Sequence, residues 1–140
     1  MSMNAVFGGV VEIAGYKVEP PTAAPGQQVS VTLWIKVLAQ PTADDMIFVH
    51  VDDSDGRPER VNGDHWPASH KTPMPQWKVG ETVMDQFSFT LGGFGESSAA
   101  TIWLGFWSPE RDERLPIVNA AQLKTDGHDR LALADIPLVH

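Results

Sequence analysis

The sequence predicts an all-β domain, an antiparallel immunoglobulin-like β-sandwich of about seven to eight strands with one long ordered loop. Three observations lead there. Apolar and polar residues alternate with period two over most of the chain, no long segment shows helical periodicity, and Gly, Pro and Asp break the alternating runs at short intervals. A closed barrel is the architectural alternative. The immunoglobulin Cys-Trp-Cys set is absent, so the likeness to that fold is one of architecture.

Residues 1–8 are expected to lie outside the ordered domain. A first strand covers Gly9 to Glu19, bent at Gly15, and ends at Pro20-Pro21. Pro25-Gly26 then suits a type II turn, because Pro presets φ and Gly accepts a positive one. The clearest strand follows. Val29, Val31, Leu33, Ile35 and Val37 take one face, and Ser30, Thr32, Trp34 and Lys36 the other. Met46 to Val51 is apolar on both faces, as a central strand should be, and Asp55-Gly56 closes a turn. Residues 62–80 carry Pro67, Pro73 and Pro75 and read as a long ordered loop. Val83 to Leu91 alternates again, Ala100 to Trp107 is a further strand, and Ser108 to Arg114 is a polar turn. Leu115 to Val118 reads as a short edge strand and Asn119 to Lys124 as a brief helix. The last strand runs from about Arg130 to Val139, with Pro137 marking an edge.

A chain of 140 residues fits one domain, 1–140, with a substantial core. The formal charge of -8 argues against a nucleic-acid partner, since phosphate binding relies on a basic field. With no cysteine there are no disulfides, thiolate metal sites or Cys nucleophiles. No stretch approaches the ~20 apolar residues of a membrane helix, so direct membrane insertion is not expected. No basic segment leads into an apolar one, so no signal peptide is evident.

Phe48 to Asp85 concentrates the chemistry. His50, His65 and His70 are three of the five histidines, and they share this stretch with Trp66, Trp77 and several carboxylates. Imidazole and carboxylate are the ligands zinc uses without thiolates, so His50, Asp64, His65 and His70 are the metal alternative. Their spacing matches no metal motif, and no metal or other cofactor is assigned. Asp52-Asp53-Ser54-Asp55-Gly56 opens like a calcium loop, but the twelfth position is Gly63 or Asp64, not Glu. Asp85 is unusual. Counting by twos from Phe87 and Phe89 turns its carboxylate inward, where it needs partners. We read it as binding backbone amides of the 62–80 loop, with His50 and Trp77 as further structural anchors. No nucleophile stands near Asp85 in a recognisable pattern, and there is no Gly-x-Ser-x-Gly elbow or phosphate loop, so no residue is assigned to catalysis.

The aromatic residues give the binding hypothesis. Trp103 and Trp107 share a strand face across Gly105, opposite Ile102, Leu104 and Phe106, and Trp34 likewise opposes its core set. On an exposed sheet face such indoles make a platform for sugar rings or for a partner surface. Asp64, His65 and Trp66 would supply hydrogen bonds and a further ring.

Several short motifs in order carry a family likeness. They are Gly15-Tyr16-Lys17-Val18, Pro25-Gly26-Gln27-Gln28-Val29, Phe48-Val49-His50-Val51 with Asp55-Gly56, and Asp64-His65-Trp66-Pro67. Trp77-Lys78-Val79-Gly80-Glu81 with Asp85, Leu104-Gly105-Phe106 and Arg114-Leu115-Pro116-Ile117 complete the set. From about Gly15 to Val139 the chain resembles the β-sandwich domain appended to bacterial membrane glycosyltransferases of the protein-mannosyltransferase type. The resemblance implies an accessory, non-enzymatic module outside the cytoplasmic membrane that handles glycan or assists assembly. Asp64, His65, Trp66, Trp34, Trp103 and Trp107 are the candidate ligand-binding residues. A homodimer or protein-docking module, and a metal-binding protein, are the alternatives.

Overall fold

The computed structural model describes residues 1–140 and resolves them into two packed antiparallel sheets. In chain order the strands are β1 (Ser2–Phe7), β2 (Val11–Glu19), β3 (Gln28–Val37), β4 (Met46–Asp53), β5 (Arg60–Asn62), β6 (Thr82–Thr90), β7 (Ala99–Ser108), β8 (Glu113–Arg114) and β9 (Leu131–Pro137). The first sheet runs β1-β2-β3-β6. The second runs β5-β4-β7, and the far edge of β7 is shared by β9 along Ala99–Leu104 and β8 at Trp107–Ser108. No helix is long and apolar enough to cross a membrane.

The alternation written into the strands fills the space between the sheets. Val29, Val31, Leu33, Ile35 and Val37 of β3 are buried, facing Ile47, Val49 and Val51 of β4 and Ile102, Leu104 and Phe106 of β7. Each such side chain contributes roughly 1.5–3 kcal/mol through area removed from water. Phe7 and Phe106 meet edge to face at 5.0 Å, tying the first strand to the core. Gly26 takes φ 84°, as the turn into β3 requires. A register shift between Ile13 and Gly15 bends β2 where the glycine sits.

Three expectations are corrected. Residues 1–8 are not outside the domain: Ser2–Phe7 form β1, with Ala5 and Phe7 fully buried. Leu115 to Val118 is not a strand of the second sheet, whose short edge is Glu113–Arg114. The Leu115 amide still donates to the Phe106 carbonyl of β7 at 2.9 Å, but from Pro116 the chain crosses to β1, where the Gly8 amide donates to the Pro116 carbonyl at 2.7 Å and the Val118 amide to the Val6 carbonyl at 2.9 Å. The brief helix shrinks to a 3-10 turn at Ala120–Gln122. Its Asn119 accepts the Val6 amide at 3.0 Å and donates to the Asn4 carbonyl, which leaves that side chain busy with β1.

Candidate functional site

The 62–80 loop closes one flank of the sandwich. It first follows β4, with His65 and Ile47 exchanging backbone bonds of 3.0 and 2.9 Å, while Asp64 Oδ1 accepts the Val49 amide at 2.9 Å. A tight turn at Pro67–His70 then carries the chain toward β6. Ala68, Ser69 and His70 all lie in the left-handed region, at φ 52°, 58° and 56°. That conformation costs roughly 1–2 kcal/mol for each residue bearing a Cβ. Several contacts offset the cost. Asp85 Oδ1 accepts the Ala68 amide at 2.9 Å, His70 Nε2 meets Asp44 at 2.7 Å, and the Trp66 and His70 rings stack at 4.4 Å. Trp77 is buried beneath and donates its indole N–H to the Thr72 carbonyl at 2.9 Å.

Asp85 and His65 form the centre of this closure. Asp85 is fully buried, and its second oxygen meets His65 Nε2 at 2.6 Å. His65 Nδ1 lies 2.7 Å from the Gly63 carbonyl, so both ring nitrogens face acceptors, an arrangement that favours the doubly protonated ring. Burial pulls the His65 pKa down, but the hydrogen bond and charge of Asp85, with the Gly63 carbonyl, outweigh it and raise the value above 6.5. With no lone pair free, His65 in this state can act neither as a general base nor as a metal ligand.

The outer face of the second sheet holds the largest concavity. Phe48, His50 and Asp52 of β4 stand there beside Gly105, Trp103 and Thr101 of β7. Gly105 explains the packing: a Cβ would come within 2.6 Å of the Phe48 ring and 2.7 Å of the Asp129 carbonyl. The Phe48 ring therefore lies over bare backbone, and the Arg114 guanidinium covers it at 4.3 Å. Arg130 covers Trp103 in the same way at 4.7 Å, and its Nη1 donates to His50 Nδ1 at 3.2 Å. Beside these covered rings an open hollow of about 610 Å³ is lined by Phe48, Trp107, His50, Asp64, Arg114 and Asp129, with Asp112 and Glu113 at its rim. Trp107 donates its indole N–H to Asp112 at 3.1 Å.

The electrostatics of this face are set by two arginines. Burial lowers the His50 pKa, and the charges of Arg60 and Arg130 add to that effect, which favours the neutral ring. Its Nδ1 accepts from Arg130, so Nε2 carries the proton. Burial opposes ionisation of Asp52, but the Arg60 bond at 2.6 Å and the charges of Arg60 and Arg130 outweigh it, and its pKa falls below the usual carboxylate value.

The structure divides the residues that the sequence grouped. Trp107 and Asp64 line the large hollow together with His50. Trp103 lies on the same sheet face but beneath Arg130. Trp34 does not join the platform: it sits on the outside of the other sheet, 37% exposed, opposite Met84. His65 and Trp66 line a separate hollow of about 260 Å³ with Phe87, beyond the edge of β6. The metal alternative is also separated. His50 is engaged by Arg130, His65 by Asp85 and Gly63, and His70 by Asp44, and no group of three or more such side chains is placed to hold an ion.

Phe48, Arg114, Asp129 and Arg130 were missed as site residues. One signal was present. A glycine between two tryptophans in a buried strand marks a place where a ring or backbone approaches closely. No protein-family model matches this chain, and no curated protein matches it.

Proposed function

We propose that this domain is a non-catalytic accessory module that binds carbohydrate, with its site in the hollow on the outer face of the second sheet. The observation that carries the reading is the composition of that hollow. It offers about 610 Å³ with the half-buried Trp107 ring and Arg114 among the carboxylates of Asp64, Asp112, Glu113 and Asp129. A sugar presents an apolar C–H face and a ring of hydroxyls, and aromatic surface beside planar acceptors complements both. The likeness to domains appended to membrane glycosyltransferases supports the same ligand class and a place outside the cytoplasmic membrane. The two packed antiparallel sheets, β1-β2-β3-β6 and β5-β4-β7 with β8 and β9, are compatible with the β-sandwich of those domains.

Calorimetric titration against a panel of neutral and charged oligosaccharides tests this. At least one glycan should bind, with affinity lost in Trp107→Ala and retained in Trp34→Ala. No heat from any glycan, or equal loss in both variants, refutes the reading. A second reading, a protein-contact module, is favoured by Trp34 and Met84, which pair across β3 and β6 and are 37% and 52% exposed. Sedimentation showing a dimer that Met84→Lys dissociates would favour it instead.

A further inference from the structure

The sheet edges are not finished alike. β1 is bonded by Pro116 and Val118, β9 is tied at both ends by Lys124 and Ala23, and β5 and β8 have three and two residues. β6 has nine and pairs with β3 without a register shift. Its outer residues Thr82, Met84, Gln86, Ser88 and Thr90 are exposed, and none is charged or proline. Sheet edges are usually shortened, bulged, charged or covered, so this one calls for a reason. The Val37 amide donates to the Glu81 carbonyl and the Leu91 amide to the Gln27 carbonyl, which places the bonds to β3 on the odd positions between. The amides and carbonyls of Gln86, Ser88 and Thr90 therefore point away from the sheet, and no group of the chain bonds them. The 62–80 loop is hydrogen-bonded to β6 through the Asp85 side chain instead. The hollow of about 260 Å³ lies at this same edge: outward Gln86 and inward Phe87 both line it, with Trp66, Ser69 and His70 from the loop. It shares no residue with the hollow assigned to carbohydrate.

We propose that the β6 edge from Gln86 to Thr90, with this hollow, is a docking site for an extended peptide segment of a partner protein. The segment adds to the first sheet as a further strand and seats one apolar side chain against Trp66 and Phe87. The backbone identifies the occupant: amides and carbonyls repeating at every second residue are complemented by another strand and by no sugar or helix. The hollow adds selectivity. Its two histidines are already answered, His65 by Asp85 and His70 by Asp44, so the side chain seated there is uncharged, and the half-buried Trp66 and Phe87 rings favour an aromatic or aliphatic one. Charge decides between a foreign peptide and a second copy. The chain carries a formal charge of -8, which opposes a second copy and draws a segment with basic flanks.

The experiment is an amide-resolved NMR titration of the whole chain with the synthetic peptide acetyl-Lys-Lys-Val-Thr-Phe-Thr-Val-Lys-Lys-amide. Saturable shifts should centre on Gln86, Ser88, Thr90 and the Trp66 indole, with a dissociation constant of about 1 mM or tighter. The same peptide N-methylated at alternate residues loses the donors of one edge and should bind at least about tenfold more weakly. Ser88→Pro removes an outward amide and no bond to β3, so the domain should fold and lose the peptide. Trp66→Ala should weaken binding about fivefold or more. No saturable binding, shifts centred elsewhere, or undiminished binding of the N-methylated peptide or by Ser88→Pro would each overturn the site. So would a dimer in sedimentation that Ser88→Pro dissociates, which would give the edge to a second copy. Should Ser88→Pro fail to fold, the N-methylated peptide decides.

Discussion

At the scale of single residues, Gly105 and Asp85 are the positions on which their surroundings depend. A methyl at Gly105 must displace the Phe48 ring and the Asp129 carbonyl together. Gly105→Ala is therefore expected to destabilise the domain by about 1–3 kcal/mol, read from urea unfolding, the usual cost of overpacking. Asp85→Asn keeps the shape but removes the charge facing His65. The imidazole can then shed its proton, so the loss is that of a charge-assisted hydrogen bond, about 1.5–3 kcal/mol, and the urea midpoint should fall accordingly. These two positions also show what a sequence reveals. Asp85 could be turned inward by counting along β6, because a strand's side-chain period is two. Arg114 and Arg130 could not be placed over Phe48 and Trp103, because those contacts join segments distant in the chain and carry no local periodicity.

At the scale of elements, the 62–80 loop is held by side chains, with a few backbone bonds to β4 at its start and one, from the Gly80 amide to the Val37 carbonyl of β3, at its end. Trp77→Phe keeps most of the buried area but loses the bond to the Thr72 carbonyl. It should cost about 1 kcal/mol and speed proteolysis between Pro67 and Trp77. Elements legible in the sequence are those whose two faces differ: β2, β3, β6 and β7 were found within a residue or two. β5 and β8 have three and two residues, too few for a pattern to emerge. β1 was missed although Ala5 and Phe7 are buried, since Met3 and Val6 blur its alternation. Leu115 to Val118 has the composition of a strand, yet tertiary pairing sends all of it after Leu115 to the opposite sheet.

For the whole molecule, protonation of His65 couples stability to pH. Its pKa is raised in the fold, so its contribution is complete below 6.5 and is lost as pH rises through the folded value. Asp45, raised from 3.8 to about 6, acts with the same sign at lower pH. Asp52 and Asp126 have lowered values, so their contribution is present above 3.8 and is lost as pH falls through the folded ones. His50, also lowered, adds to the loss below 6.5. Thermal unfolding followed across pH should show a decline on the alkaline side that His65→Gln flattens while the acid side persists. An unchanged alkaline limb would remove His65 as its cause.

The two flanks of the sandwich are stitched differently, one by the loop around Asp85 and the other by Pro116–Asn119 bonding to β1. With both margins laced, the sheets cannot part a little at one side, as a book opens. Backbone amides of β3 and β7 should then exchange with deuterated solvent only when the entire domain comes undone, whereas those of the lacing exchange sooner.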